Sequence, residues 1–175
     1  IISGKFKGRR IKYNNLQNVR PTTDRTKESL FNILNQYFVF EEISALDLFS
    51  GSGNISYELA SRGVKKITSV EKNIKCVKFI NDFSKTLDIN LNIVNYPVSQ
   101  FLKITKSKFN LIIADPPYTH SKEQIEALVD LIFGKKILKK NGILIIEHHK
   151  KIIMEKSEFL FDRRTYGSNS LSFFK

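Results

Sequence analysis

From residue 45 onward, short apolar runs typical of β-strands alternate with segments whose apolar residues recur at helical spacing. The strand-like runs cover residues 45–49, 67–70, 91–94, 109–114 and 142–146. Strands that alternate with helices predict a parallel sheet covered by helices on both faces. In such sheets, ligands bind at the carboxyl ends of the strands, where the strand order reverses. We therefore look for functional residues directly after each strand.

The two ends of the chain complete the predicted domain. Residues 158–166 and 170–174 surround a Gly167-Ser168-Asn169 turn and predict a closing antiparallel hairpin. Residues 1–13 predict a short basic hairpin, and a helix follows it, with the apolar residues Leu30, Phe31, Leu34, Tyr37 and Phe38 on one face. We expect one domain over 1–175, in which residues 1–40 pack as an extension on the core 45–175.

The amino-acid composition argues against a membrane-spanning, a disulfide-bonded or a metal-binding protein. The chain has 175 residues, 41% of them hydrophobic, and no apolar run long enough to span a membrane. The single cysteine, Cys76, excludes an internal disulfide and favours a reducing compartment. His120, His148 and His149 lack metal-ligand spacing, so we expect no metal.

Positive charge is concentrated near the start of the chain. The formal net charge is +12, and a basic surface of this size suggests a polyanionic partner. The alternative is a solvated, lysine-rich surface with no such partner. The basic residues that we consider for nucleic-acid binding are Lys5, Lys7, Arg9, Arg10, Lys12, Arg20 and Arg25.

A glycine turn closes the first predicted strand, within residues 47–53 (DLFSGSG). Gly51 and Gly53 let a ligand approach the backbone, and Glu71, after the second strand, suits ribose hydroxyls. A dinucleotide site would want a third glycine where the chain has Ser56, and Asp47 would repel a diphosphate. S-adenosylmethionine, with its ammonium, ribose and base, fits this set. Alternatively, Asp47 only bonds its own loop.

Residues 115–118 (DPPY) follow the fourth predicted strand. Consecutive prolines fix the backbone and remove two N–H donors, so Asp115 and the Pro116 carbonyl can both accept hydrogen bonds. The Tyr118 ring can stack on a planar group. Together, these residues could hold a flat molecule that carries an –NH2 group, although a rigid strand-to-loop stop is the simpler alternative.

In this order, four segments resemble the RsmD family: 20–25 (RPTTDR), 47–53, 70–72 (VEK) and 115–118. The resemblance covers almost the whole chain. It implies a Rossmann-like class I methyltransferase with a mostly parallel seven-stranded sheet and an antiparallel C-terminal hairpin. It also implies transfer of a methyl group from S-adenosylmethionine to the exocyclic N2 of a guanine in small-subunit ribosomal RNA. The substrate would be this RNA or the assembling small subunit, and we expect a monomeric cytoplasmic enzyme.

On this interpretation, the catalytic residues are Asp115, Pro116 and Tyr118. The cofactor-binding residues are Asp47, Gly51, Gly53, Glu71 and Asn95. Similar proteins commonly carry an aspartate near the cofactor's adenine, after the third strand, where this chain has Pro97. We therefore assign the adenine contact to the backbone or to a neighbour such as Asn95 or Ser99.

Two alternatives remain open at this point. The first is methylation of another amino group: adenine N6, cytosine N4 or a protein glutamine, the last disfavoured because amide-methylating relatives tend to carry Asn where this chain has Asp115. The second is a non-catalytic RNA-binding or ribosome-assembly factor on a methyltransferase fold. Cofactor binding would discriminate between this factor and an enzyme.

Overall fold

The computed structural model describes residues 1–12, 24–154 and 157–175. Arg20 and most of the segment 20–25 lie outside this described part. The helices are α1 (Asp24–Leu34), α2 (Asn54–Ser61), α3 (Ile74–Thr86), α4 (Val98–Ile104) and α5 (Lys122–Gly134), with a 3₁₀ turn at Phe40–Glu42. The strands are β1 (Ser44–Leu48), β2 (Lys66–Glu71), β3 (Asn92–Asn95), β4 (Phe109–Ala114), β5 (Leu138–His149), β6 (Leu160–Tyr166) and β7 (Asn169–Phe174).

The strands form one seven-stranded sheet in the order β3-β2-β1-β4-β5-β7-β6. Neighbours from β3 to β5 are parallel, whereas β7 pairs antiparallel with both β5 and β6. The predicted α/β fold and its closing hairpin are confirmed. The strand order reverses between β1 and β4, which places the predicted ligand edge at their carboxyl ends.

Apolar side chains on both faces of the central strands hold the layers together. All five residues of β1 are buried, as expected for a parallel strand covered on both faces. On one face, Leu46, Ile112 and Leu144 pack against α4 and α5. On the other face, Ala45, Ile113 and Ile145 pack against α1 and α2.

Several element boundaries differ from the sequence-based expectation. Helix α4 was not predicted, because its seven residues are too few to establish a helical period. Strand β5 is longer than predicted at both ends, because Leu138 already pairs with Phe109 of β4 and the pairing with β7 runs on to His149 opposite Asn169. Helix α1 ends at Leu34, so Tyr37 lies beyond it and is 49% exposed.

The predicted N-terminal hairpin is wrong in its strands. The chain does fold back, since the Gly8 N–H donates to the Ile1 carbonyl, but residues 1–12 contain turns and no strand. Their backbone bonds instead to α2: the Ile2 and Ser3 N–H groups donate to the Glu58 carboxylate. Gly4 permits this contact, because a Cβ there would lie 1.8 Å from the Ser61 carbonyl oxygen.

Candidate active site

A cavity of about 890 Å³ opens at the carboxyl ends of β1, β2, β4 and β5. Its walls are the turn after β1, the loop after β2, the first turn of α3, α4 with the residue before it, the loop after β4, one face of α5 and Glu147 of β5. Of the predicted site residues, Gly51, Glu71, Asp115, Pro116 and Tyr118 line it together. Asp47, Gly53 and Asn95 are not on its walls.

Glu71 joins the turn after β1 to the loop after β2. One carboxylate oxygen accepts from the Gly51 N–H at 2.9 Å, and the other accepts from the Asn73 N–H at 2.8 Å. Gly51 and Gly53 both have positive φ angles, 54° and 80°, which suit glycine. At Gly53 a Cβ would also lie 2.8 Å from the Tyr57 ring. The carboxylate therefore fixes the turn while it faces the cavity.

Asp47 lies behind this turn and is only 3% exposed. The Ser56 hydroxyl donates to its carboxylate at 2.6 Å and lies 2.6 Å from the Ser69 hydroxyl. A hydroxyl has one proton, so Ser69 donates to Ser56. Burial raises the pKa of the Asp47 carboxyl from 3.8 to about 7, although the bond from Ser56 opposes the shift. Near neutral pH the group therefore exchanges between its neutral and charged forms, and a nearby cation would favour the charged form.

The cavity wall that follows β3 is formed by Pro97, Val98 and Ser99. Asn95 is turned to a different task, because its side-chain amide donates to the carbonyls of Glu71 and Lys72 at 2.9 and 3.0 Å. Helix α5 contributes Ala127, Leu128 and Leu131 to the same cavity. This part of the lining is apolar, as in most small-molecule pockets.

The DPPY segment leaves β4 next to the end of β1, and the Asp115 N–H donates to the Leu48 carbonyl at 3.3 Å. Asp115 is half-buried and Pro116 is buried. The Tyr118 ring is 46% exposed, and its hydroxyl donates to Asn169 at 2.9 Å. An acceptor pair and an aromatic face thus meet at one side of the cavity.

The side chain of His120 packs edge-on against Phe49, with 5.5 Å between ring centroids, and both line the cavity. Burial, together with the charge of Lys72, lowers the pKa of His120. A neutral imidazole therefore contributes to the wall between the glycine turn and the DPPY segment.

Sequence reasoning missed Glu147 and Asn169. Glu147 lines the cavity and is 5% exposed, and its carboxylate accepts from the Asn169 amide at 2.6 Å. The signal was available, since Glu147 follows the predicted strand 142–146 just as Asp115 follows 109–114. Asn169 gave no such signal, because only the pairing of β7 with β5 brings it to this edge.

His148 is buried and hydrogen-bonded on both ring nitrogens. It is 2% exposed, with Nε2 2.8 Å from the Ser172 hydroxyl and Nδ1 2.9 Å from the His149 carbonyl oxygen. Burial lowers the pKa of its imidazole. Cys76 is also buried, which raises the pKa of its thiol, and it lies on the cavity wall.

The basic residues lie apart from the cavity walls. Lys5, Lys7, Arg9, Arg10, Lys12 and Arg25 are exposed. The backbone of residues 2–6 is fixed to Glu58 and Ser61 on the second half of α2. Helix α2 begins directly after the glycine turn. This short helix therefore connects residues 1–12, the basic segment, to the cavity edge.

Two features of the described residues bear on other functions. No helix among them is long and apolar enough to cross a membrane. Within the same residues, no group of three or more His, Cys, Asp or Glu side chains could hold a metal ion.

Known proteins resemble this chain over its full length. The family described as Conserved hypothetical protein 95 matches residues 1–175. A ribosomal RNA small subunit methyltransferase D of Buchnera aphidicola is 35% identical over 168 residues, which cover 94% of this chain and 86% of that protein. The structure of a hypothetical protein of Thermus thermophilus is 26% identical with a TM-score of 0.88, covering 100% of this chain and 98% of that one.

A more distant structure shows how general the fold is. RsmC of Thermus thermophilus, a 16S rRNA N2 methyltransferase solved with AdoMet and guanosine, has a TM-score of 0.69 at 17% identity. It covers 88% of this chain and 43% of that chain, and at this identity the likeness concerns the fold alone. The full-length family match and the 35% identical relative carry the assignment. The chain therefore belongs to the RsmD family of S-adenosylmethionine-dependent methyltransferases.

Proposed function

We propose that this protein transfers a methyl group from S-adenosylmethionine to the exocyclic N2 of a guanine in small-subunit ribosomal RNA. Relatives named for ribosomal RNA methylation support the RNA substrate. The observation that carries the choice of an amino group is the DPPY segment at the end of β4, in one cavity with Gly51 and Glu71. Two fixed acceptors and an aromatic ring beside the cofactor turn suit a planar base with an –NH2 group.

In this proposal, residues at the carboxyl ends of β1 and β2 would hold the cofactor, which would supply a methyl group on a sulfonium sulfur. Glu71 accepts from the ribose hydroxyls, and the Gly51 turn allows close approach of the backbone. Asp47 attracts the ammonium, directly or through water. The apolar part of the cavity lined by Val98 and Leu128 receives the adenine, with the backbone near Ser99 as its polar contact.

The base is turned out of its helix or loop and stacks on Tyr118. Its amino group donates one hydrogen to the Asp115 carboxylate and the other to the Pro116 carbonyl. These bonds localise the nitrogen lone pair, which otherwise spreads into the ring, and aim it at the methyl carbon. The N–C bond forms as the C–S bond breaks, and the sulfur keeps the bonding electron pair.

Positive charge grows on the nitrogen during the transfer, so both acceptors bind more tightly in the transition state than in the ground state. A general base is not needed before the methyl group moves. The surplus proton leaves afterwards, to Asp115 or to water.

Basic residues near the start of the chain supply contacts with RNA phosphates, which position the substrate without reading its sequence. We assign this role to Lys5, Lys7, Arg9, Arg10, Lys12, Arg20 and Arg25. A monomeric state and a cytoplasmic location belong to the same proposal.

An Asp115→Ala variant separates the substrate site from the cofactor site. Loss of one such acceptor should lower methyl transfer about 100- to 1,000-fold. Affinity for S-adenosylmethionine should stay within about threefold of the wild type, a change below 1 kcal/mol. The matched control is Asp82→Ala, on the exposed face of α3, which should change neither quantity. Equal loss of transfer and cofactor affinity in Asp115→Ala would contradict the assignment of Asp115 to the substrate.

A further inference from the structure

Glu147 and Asp115 lie side by side at the cavity edge. Strands β4 and β5 are parallel, with Ala114, the last residue of β4, opposite Ile146 of β5, and the residue that follows each of these two is a carboxylate. Neighbouring strands lie about 4.8 Å apart, and both side chains line the same cavity. The base site therefore has two carboxylates along one edge.

The two carboxylates also share a face of the sheet. Strand residues alternate between faces, so Asp115 continues the row of Leu111 and Ile113, and Glu147 continues the row of Ile143 and Ile145. All four of these apolar residues belong to the core cluster on the α1 and α2 face. Asp115 and Glu147 consequently point to the same side of the cavity edge.

Asn169 bonds to both Glu147 and Tyr118, the residue whose ring is proposed to stack on the base. Its amide nitrogen donates to Glu147 at 2.6 Å, and its amide oxygen accepts from the Tyr118 hydroxyl at 2.9 Å. A carboxylate has two oxygens and about four acceptor positions, so the bond from Asn169 orients Glu147 and still permits a bond to a ligand. One carboxamide thus fixes the distance between an acceptor and the aromatic face.

The bases differ in whether they carry a second hydrogen-bond donor beside the amino group. Guanine carries two adjacent donors on one edge, the 2-amino group and the N1–H. The corresponding ring nitrogens of adenine and cytosine are acceptors and would face a carboxylate with a lone pair. An acceptor that is fixed and buried rejects a ligand lacking the donor, because the group is then left unpaired.

We infer that Glu147 accepts the N1–H of the target guanine and thereby selects guanine over adenine and cytosine. This inference rests on the proposed function and adds a specificity-determining residue to it. Asp115 and Pro116 accept from the reacting amino group, Glu147 accepts from the adjacent N1–H, and the Tyr118 ring stacks on the base.

The test compares two RNAs that differ at the methylated position, one with guanine and one with 2-aminopurine. The analogue keeps the 2-amino group but has a lone pair at N1. Wild type should prefer guanine, whereas Glu147→Gln can donate to that lone pair. The ratio of kcat/KM for guanine to that for 2-aminopurine should fall by about tenfold or more in the variant.

The design isolates the N1 contact. The analogue also lacks the guanine O6, but this loss is the same for both enzymes and cancels when their ratios are compared. Each ratio is measured on one preparation, so it does not depend on the fraction of folded protein. Glu158→Gln, at an exposed glutamate, is the matched control and should keep the wild-type ratio. Should Glu147→Gln fail to fold, Glu147→Asp, whose acceptor is withdrawn by one methylene, should lower the ratio less strongly.

The outcomes separate the inference from the proposed function. If wild type forms N2-methylguanosine and Glu147→Gln lowers both rates equally, Glu147 only holds the hairpin, and the inference is overturned while the function stands. If wild type forms no N2-methylguanosine, the proposed function fails, and the role of Glu147 fails with it.

Discussion

At Asp47, burial and ligand binding make opposite demands on one carboxyl group. Burial raises its pKa from 3.8 to about 7, which favours the neutral acid, whereas an ammonium ligand favours the carboxylate. Between pH values of about 4 and 7, the folded chain retains a proton that the unfolded chain releases. The free energy of unfolding of the ligand-free protein therefore falls as the pH rises through this window.

The same shift predicts how cofactor affinity depends on pH. Below a pH of about 7, binding of the ammonium must expel the proton from Asp47, so the Kd for S-adenosylmethionine should rise about tenfold between pH 7.5 and 6. Above about pH 8, the α-amino group of the cofactor loses its own charge, and affinity should fall again. Titration calorimetry across this range measures both limbs.

An Asp47→Asn variant is the control for this prediction. It should bind the cofactor more weakly at pH 7.5 and show a flat acid limb, because no carboxyl group remains to titrate there. An acid limb as steep as that of the wild type would show that another group is responsible.

Among the elements, the closing hairpin has the least obvious part in the site. Its strand β7 begins at Asn169, opposite His149 at the far end of β5. This register brings the Asn169 side chain to Tyr118 and Glu147. The hairpin thus both completes the sheet and supports the proposed base site.

A double-mutant cycle tests that support. Asn169→Ala should raise the KM for RNA by roughly tenfold, the cost of about 1.4 kcal/mol, with little change in cofactor affinity. Tyr118→Phe, which removes only the hydroxyl, should have a smaller effect that disappears in the Asn169→Ala background. Additive effects of the two changes would show that the hydroxyl–carboxamide bond does not position the ring. The exposed Asn90→Ala serves as control.

Local patterns in the sequence predicted the elements whose signal is local. The strands that carry Asp47 and Glu71, and the strand that Asp115 follows, lie where their apolar runs indicated. Helix α4 was missed because it is short, and residues 1–12 were misjudged because Glu58 and Ser61, distant in sequence, satisfy their backbone. Glu147 could have been predicted from its position directly after a strand-like run. The contribution of Asn169 follows only from the pairing of β7 with β5, which the sequence does not specify.

For the whole molecule, the net charge of +12 is expected to act through exposed side chains. The basic segment is attached to α2 by backbone bonds to Glu58 and Ser61, which leaves its charged side chains exposed. We keep the proposal of a single domain over 1–175, with this segment and α1 packed on the core.

Neutralising the basic segment tests whether it contacts RNA. Replacing Lys5, Lys7, Arg9 and Arg10 by glutamine should weaken RNA binding. If each side chain contacts one phosphate, the negative slope of the logarithm of the association constant against the logarithm of the salt concentration should become shallower by about 3. An unchanged slope would show that these side chains are merely solvated. The control neutralises four exposed lysines at the amino ends of β4 and β5, the edge opposite the cavity, and should change the slope less; they are Lys106, Lys108, Lys139 and Lys140.

The most direct test of the central claim is transfer of a labelled methyl group from S-adenosylmethionine to unmodified small ribosomal subunits, followed by nucleoside analysis. Naked small-subunit RNA, assayed in parallel, distinguishes the RNA from the assembled particle as substrate. The account predicts that the label is recovered as N2-methylguanosine. Label on adenine or cytosine, or no label from a protein that binds the cofactor, would contradict it.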